Sequence, residues 1–424
     1  MSTEKLRVAV VGHGFMGRVH ILAWQRVREA FPDLARDPEV CVLVGRDRER
    51  TARAAARSGV AETSTEIDAV LGRPDIDLID ICTPGGSHAT LSCAALGAGK
   101  HVLCEKPMAN SLAEAQTMAD AAATARQRGL LSMVGFNYRR VPALGLAREL
   151  RGSGHLGEIR EARFCYLQDW LVDPSSPATW RLDAAQAGSG ALGDLGAHLV
   201  DLAGFLLGEL PNEIVADTRT FVTSRPSAQL ETRSEANETV APAPGTVPVT
   251  VDDAVAFLAR FPSGALGTFE ATRVATGVKN GLRLELYGTK GALGFDLERL
   301  NELWLFEPHF LGGGSPAGEI PGDPPRPRLD LSGTRRLLVT EPSHPYIGAW
   351  WPPGHTIGWG ESFVHEMRDL VVAIARGHDP EPSFADGLAT QAVLEAAATS
   401  ASSRRWEPVQ TPSAEARSDL PDTR

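Results

Sequence analysis

Val8, Ala9, Val10 and Val11 form an apolar, β-branched run within Leu6 to Val11, and the pattern predicts a buried strand. Gly12-His13-Gly14-Phe15-Met16-Gly17 follows, and residues 18–30 read as the first helix. The alternation then repeats. Val40 to Val44 gives way to Gly45-Arg46-Asp47 and an Ala/Arg-rich helix, Leu78 to Cys82 to a helix from about Ser87, and His101 to Cys104 to a helix over Ser111 to Arg126, with Leu131 to Val134 as the next strand. Strands alternating with helices of this length predict βαβ units with right-handed crossovers. Residues 1–140 are therefore expected to form a doubly wound parallel sheet of the α/β class.

From about Ile159 the apolar period shortens to two. Ala162 to Tyr166, Ala254 to Arg260, Gly267 to Thr272 and Leu282 to Tyr287 alternate in this way, with turn residues such as Pro262-Ser263-Gly264 between them. Such segments read as antiparallel strands whose sheet can pack one face on helices and leave the other open. Residues 141–410 are thus expected to be an α+β domain with a mostly antiparallel open sheet, serving substrate binding and oligomerisation as a homodimer or homotetramer. Phe363 to Arg376 carries Met367, Leu370, Val371 and Ile374 on one stripe, the mark of a core helix. Ser224 to Val249 and Gly312 to Arg328, rich in Pro, Gly, Ser, Thr and Glu, are expected to be long loops, and Thr411 to Arg424 a disordered tail.

Composition narrows the function classes. A chain of 424 residues exceeds one small core, and an apolar share of 43% is that of a globular protein. No run approaches about 18 consecutive apolar residues, and the start MSTEKLRVAV has no signal-peptide pattern, so a cytoplasmic protein with no membrane partner is expected. The net charge of −11 argues against nucleic acid. Five cysteines, odd in number and without C-x-x-C spacing, read as buried thiols.

In an open parallel sheet, ligands bind beyond the carboxyl ends of the strands. The G-x-G-x-x-G loop fits that place: Gly12 permits the turn, Gly14 lets a pyrophosphate approach, and Gly17 lets the helix pack closely, with Phe15 and Met16 at the helix start. After the second strand, where NAD-binding domains usually carry an acid for the ribose, stands Gly45, followed by Arg46. That pair suits a 2′-phosphate, so the expected cofactor is NAD(P) with a lean to NADP; the alternative makes Arg46 a solvated helix-start residue and gives the ribose to Asp47. Thr83-Pro84-Gly85-Gly86-Ser87-His88 lines the dinucleotide or caps its helix. Glu105-Lys106-Pro107 places an amine where nicotinamide and substrate would meet. Further on, Asp194 and His198 lie four apart on one helix face, with the plain alternative that Asp194 is an N-cap and His198 a border histidine. No second His or Cys set accompanies them, so no metal is expected.

Taken together and in order, the G-x-G-F-M-G loop, the Thr-Pro-x-x-x-His turn, Glu-Lys-Pro and Asp-x-Gly-x-His resemble the Gfo/Idh/MocA family of glucose-fructose oxidoreductase and inositol dehydrogenase. The resemblance spans nearly the whole chain, takes in Phe384-Ala-Asp-Gly387, and is strongest to inositol dehydrogenase-like and levoglucosan dehydrogenase-like members. It implies that Lys106, Asp194 and His198 surround a reacting carbinol. Thr83, Pro84, His88, Glu105, Asn137, Trp180 and Arg181 would join the glycine loop around the cofactor. Arg139, Tyr166, Gln168 and Asp169 would face a polyol, with Trp350, Trp351 and His355 either completing the pocket from a loop or serving subunit packing. His198, as an imidazole near its working pKa, is expected to be the base, Lys106 to bond the same oxygen and Asp194 to orient the pair; the first two roles are exchangeable. The expected activity is NAD(P)-dependent oxidation of a secondary hydroxyl of a sugar, sugar derivative or cyclitol, or reduction of the matching ketone. Its rivals are a non-catalytic dinucleotide sensor and a redox-assisted lyase or glycosidase. Gly45 in place of an acid, and the apparent insertion over Ser224 to Val249, depart from the family pattern.

Overall fold

The computed structural model describes residues 4–228, 242–307 and 333–410. Its first part alternates as the pattern predicts: β1 (Glu4–Val11), α1 (Phe15–Ala30), β2 (Arg36–Val44), α2 (Arg48–Ser58), β3 (Glu62–Ser64), α3 (Ile67–Leu71), β4 (Leu78–Ile81), α4 (His88–Gly97), β5 (His101–Glu105), α5 (Leu112–Arg126) and β6 (Ser132–Gly135). The six strands pair in parallel in the order β3-β2-β1-β4-β5-β6. Strand order reverses beside β1, which opens a crevice at the carboxyl ends of β1 and β4. Val8, Ala9 and Val10 are completely buried, as strands covered on both faces require. β3 is three residues long and polar, which is why no apolar run announced it.

The rest of the chain runs α6 (Pro142–Gly152), β7 (Ile159–Leu167), α7 (Ala184–Ala187), α8 (Ala197–Leu207), β8 (Glu213–Arg219), β9 (Ser224–Ala228), β10 (Pro242–Pro248), β11 (Ala254–Arg260), β12 (Leu266–Thr272), β13 (Gly281–Gly288), β14 (Ala292–Asp296), β15 (Glu302–Phe306), β16 (Arg335–Leu338), α9 (Glu361–Arg376), α10 (Phe384–Ser403) and β17 (Glu407–Pro408). Nine strands form one sheet, β16-β15-β14-β13-β7-β12-β11-β8-β17, antiparallel except where β7 meets β12. Residues alternate between buried and exposed along β11 and β13, so one face packs on helices and the other stays open, with Leu258, Leu266 and Trp304 exposed on the sheet strands.

One expectation changes here. Ser224 to Val249 is not simply a loop: β9 and β10 within it pair as an antiparallel ribbon, and Val249 and Val251 pack beneath it with Leu171 and Leu182. The stretch over Gly312 to Arg328 and the tail from Thr411 lie outside the described residues. Among the described residues one stretch, Ala184–Leu207, is long and apolar enough to cross a membrane, but 83% of its most apolar window is buried inside the fold, which makes it a core segment.

The end of the chain returns to the first sheet. Phe363, Met367, Leu370 and Val371 of α9 join Leu6, Ile21, Trp24 and Val27 in one apolar cluster, so the expected stripe is core. This packing carries Trp359, just before α9, onto the glycine loop, where its ring stacks on Phe15 at 5.7 Å.

Candidate active site

At Gly12 the backbone takes φ +102°, open to glycine alone without strain, and a Cβ there would stand 2.8 Å from the Cys82 carbonyl oxygen. Gly14 then starts α1 with no side chain capping it and no acid in the first turn. The free N–H groups of that turn are a ready anion site, and this is the observation that fits the chain to a dinucleotide pyrophosphate. A Cβ at Gly45 would press on Thr51 and approach His13 Cδ2 to 2.6 Å, so an acid has no room there. Arg46 is exposed beside it, and Asp47 caps α2 by accepting from the Arg50 N–H at 2.9 Å.

Lys106 leaves the end of β5 and reaches the turn before α8, where Nζ donates to the Asp194 carbonyl at 2.8 Å and to Asp194 Oδ1 at 3.1 Å. Asp194 is therefore no N-cap. It lies in a π-helical turn, Leu192–Gly196, that leads into α8. Asp252 holds the start of this turn by accepting from the N–H groups of Gly190 (2.7 Å) and Leu192 (2.9 Å), and a side chain at Gly190 would run into the Asp252 carbonyl. Burial would raise the Asp194 carboxyl, but Lys106, Arg181 and Arg273 outweigh it and hold the group far below the usual carboxylate range. Asp194 is thus a fixed negative charge against the Lys106 ammonium.

His198, one turn along, sits in an aromatic enclosure. The Tyr138 ring centroid is 4.7 Å away and those of Phe136 and Tyr166 are each at 6.0 Å. Its Nδ1 is buried with no hydrogen-bond partner among the described residues. Burial first, and the Lys106 charge second, push the imidazole well below its ordinary value, and the nearby Asp194 does not compensate. This corrects the expectation of an imidazole near its working pKa: His198 is held neutral, a ready proton acceptor in form but a weak base. Beyond it, Tyr138 OH lies 2.8 Å from Tyr166 OH, and Asn280 Oδ1 accepts from Tyr166 OH at 2.8 Å and from Gln168 Nε2 at 2.7 Å. Gln168 Oε1 accepts from the Trp170 indole at 2.9 Å. The Arg181 guanidinium covers the Trp180 ring at 4.5 Å.

Several expected contacts go elsewhere. Arg139 turns into the core, where Nε and Nη2 grip Asp201 at 2.9 and 2.7 Å, because a buried guanidinium needs a carboxylate; it does not face a substrate. Asn137 donates to Ser362 Oγ at 2.8 Å and is buried under α9. His88 is buried with its ring nitrogens on the carbonyls of Pro107 (3.0 Å) and Thr83 (2.8 Å), so it ties the two strand-end turns together rather than reaching a cofactor. Asp169 is paired with Lys279 at 2.6 Å. Trp350 donates to His365 of α9 at 2.7 Å and packs beneath Arg26 of α1, so it fastens its loop to those two helices, while Trp351 and His355 are exposed.

Glu105 also lies beneath the site rather than on a cofactor. Its Oε2 accepts the Lys106 N–H at 3.1 Å and its Oε1 stands 2.9 Å from His20 Nε2, whose Nδ1 stands 2.9 Å from Asp80 Oδ1. Trp24 donates to Asp80 Oδ2 at 2.8 Å. With a carboxylate at each ring nitrogen, both must carry protons; burial alone would lower the His20 pKa, but Asp80 wins and holds it well above the usual value. Glu366 of α9 faces this group wholly buried, both oxygens unpartnered among the described residues, and burial pushes it up to about 8, so it is protonated at neutral pH. Of this network Glu105 alone is named from the sequence; His20 and Trp24, four apart on α1, are the signal left unused.

An open helix start at a strand-order reversal, with a lysine from the end of β5 that meets an aspartate and a histidine supplied by the second domain, defines a dinucleotide-dependent oxidoreductase. Residues 6–136 match the oxidoreductase family with an NAD-binding Rossmann fold, residues 145–294 match the GFO/IDH/MocA C-terminal domain, and the chain belongs to that family. It is 37% identical to levoglucosan dehydrogenase from Pseudarthrobacter phenanthrenivorans over 95% of this chain and 98% of that one. Among solved structures, an oxidoreductase domain protein from Kribbella flavida superposes with a TM-score of 0.85 at 48% identity, covering 96% of this chain and 99% of that one. Levoglucosan dehydrogenase in complex with NADH also gives 0.85, at 36% identity over 96% of this chain and all of that one.

Proposed function

We propose that this protein oxidises a secondary hydroxyl of a sugar, sugar derivative or cyclitol, or reduces the matching ketone. The observation that carries the reading is the convergence of Lys106, Asp194 and His198 at the carboxyl end of β5, beside the open start of α1. A dinucleotide held at the glycine loop by the first N–H groups of α1 would supply hydride acceptance at the carbinol carbon. Lys106, anchored by Asp194, donates a hydrogen bond to the substrate oxygen and stabilises the negative charge that develops there. His198 receives the hydroxyl proton as the carbonyl forms; its neutral state at working pH keeps it able to accept. Gln168 and the Asn280 amide offer fixed polar groups to neighbouring hydroxyls, and the tyrosine pair closes the wall.

The lean to NADP rests on the exclusion of an acidic side chain at Gly45, the exposed Arg46 beside it and the engagement of Asp47 in capping α2. A homo-oligomer rests on the open face of the nine-stranded sheet, where Leu258, Leu266 and Trp304 stand exposed. The test is a screen of sugars and cyclitols with each dinucleotide, followed by the absorbance of the reduced nicotinamide. Turnover on a polyol supports the reading; no reduced nicotinamide formed from any polyol, and none consumed with the matching ketones, overturns it.

A further inference from the structure

Arg273 follows directly on β12 and is completely buried. Its Nη2 donates to the Asp252 carbonyl at 2.7 Å and its Nη1 to the Arg181 carbonyl at 3.3 Å, and Nε has no partner among the described residues. Arg139, by contrast, grips the Asp201 carboxylate. Backbone carbonyls satisfy hydrogen bonds without neutralising a charge, so burying Arg273 in this way costs stability. Burial accordingly pushes its guanidinium below the ordinary value, and Asp194 leads the groups that oppose the shift.

The neighbours of this guanidinium all belong to the site just described. Asp252, whose carbonyl takes Nη2, uses its carboxylate to hold the Gly190 and Leu192 N–H groups at the head of the turn that carries Asp194. A Cβ at Gly190 would stand 2.6 Å from Arg273 Nη2, so the chain passes directly over the guanidinium. The Trp170 ring centroid lies 5.6 Å from its Cζ, and Gln168 holds that indole. Charges face Asp194 from three sides: Lys106 at the end of β5, Arg181 in the turn before α7, and Arg273, with the neutral His198 and the hydroxyls of Tyr138 and Tyr166 near it. Arg273 in turn is faced by Asp194, Asp252, Asp253 and Arg181. Asp252 and Asp253 are engaged by backbone N–H groups, which leaves Asp194 as the carboxylate that meets an ammonium. Taking one cation away leaves the burial of Asp194 less opposed and raises its affinity for a proton. A protonated Asp194 no longer offers Lys106 Nζ a charge-assisted bond at 3.1 Å.

We infer that Arg273 is a positioning residue of the reaction: from behind the π-helical turn, its buried guanidinium fixes the Asp194 carboxylate, in place and in charge, against the Lys106 ammonium. The inference rests on the dehydrogenase reading and adds to it a residue that acts through Asp194.

The experiment compares Arg273→Gln and Arg273→Lys with the parent on a sugar that turns over in the screen above, following kcat and KM against pH and NADH binding by fluorescence. Arg273→Gln is expected to lower kcat at pH 6 by roughly ten- to a hundredfold, with KM and NADH binding within about threefold, and to move the acid limb of kcat up by about one pH unit or more. Arg273→Lys, which keeps the charge, is expected to recover most of that loss. A loss equal at every pH, or one that Arg273→Lys does not relieve, would overturn the role. Melting temperatures, read without substrate, test the same link: Asp194→Asn removes the charge that Arg273 faces, so Arg273→Gln should cost less than about half as many degrees in that background as in the parent. Where Arg273→Gln alone does not fold, recovery of folded protein with Asp194→Asn supports the coupling, and failure in both backgrounds makes Arg273 a brace of the fold and overturns the inference. Equal thermal losses in both backgrounds would remove the role and leave the dehydrogenase reading standing, whereas absence of turnover on every sugar would remove both.

Discussion

His20 Nε2 lies 2.9 Å from Glu105 Oε1 in a fully buried contact, and through it the helix that starts at the dinucleotide loop is tied to the residue that holds the Lys106 N–H. A charged imidazole between two buried carboxylates makes this tie dependent on pH. Because the folded pKa of His20 is raised above its ordinary value of 6.5, its stabilisation is complete below that value and is lost as pH rises through the folded pKa. His20→Gln leaves a carboxylate unpaired and is expected to cost about 3–5 kcal/mol at pH 6. The gap between parent and variant, measured by urea unfolding, should narrow as pH is raised. A gap that widens, or one independent of pH, would show that His20 is neutral.

Removing the amine tests the centre of the site. Lys106→Met should lower turnover by roughly two to four orders of magnitude while NADH still binds, as followed by its fluorescence. Turnover within about threefold of the parent would take Lys106 out of the reaction.

The depressed pKa of His198 gives a definite pH profile. A base already neutral below pH 6.5 produces no falling limb near that value, so kcat/KM should show none that vanishes in His198→Ala. An acid limb close to pH 6.5, present in the parent and absent in that variant, would mean that His198 is solvated in the working enzyme.

The proposed lean to NADP is tested at Arg46. A guanidinium on a 2′-phosphate supplies charge-assisted bonds that NAD cannot use, typically about 1.5–3 kcal/mol. Arg46→Ala should therefore reduce the NADP/NAD ratio of kcat/KM by roughly one to two orders of magnitude at low ionic strength. An equal loss with both cofactors would make Arg46 a residue of the turn alone.

Arg139 is expected to affect stability before catalysis. Arg139→Met strands the buried Asp201 carboxylate, and the melting temperature should fall by an amount matching about 3–5 kcal/mol, with KM for substrate little changed. A raised KM at unchanged stability would return Arg139 to the substrate wall.

By itself the sequence determined the two sheets and the placing of the chemistry at strand ends. Both are local signals: the apolar run over Val8 to Val11, the period of two along Ala254 to Arg260, and the glycines at Gly12 and Gly14 act through residues adjacent in the chain. Lys106, Asp194 and His198 were named through their motifs, but the local pattern left Asp194 open as a cap and His198 as a border histidine, and only the family resemblance grouped the three. Tertiary structure alone decided what surrounds them. Arg139 and Asp201 are 62 positions apart, His20 and Glu105 are 85 apart, and Asn137 and Ser362 are 225 apart; no periodicity reports which of two polar partners a side chain will meet. The ionisation of His198 was hidden likewise. It follows from rings supplied by Phe136, Tyr138 and Tyr166 and from a charge supplied by Lys106, and desolvation is a property of that assembled enclosure, not of any one segment.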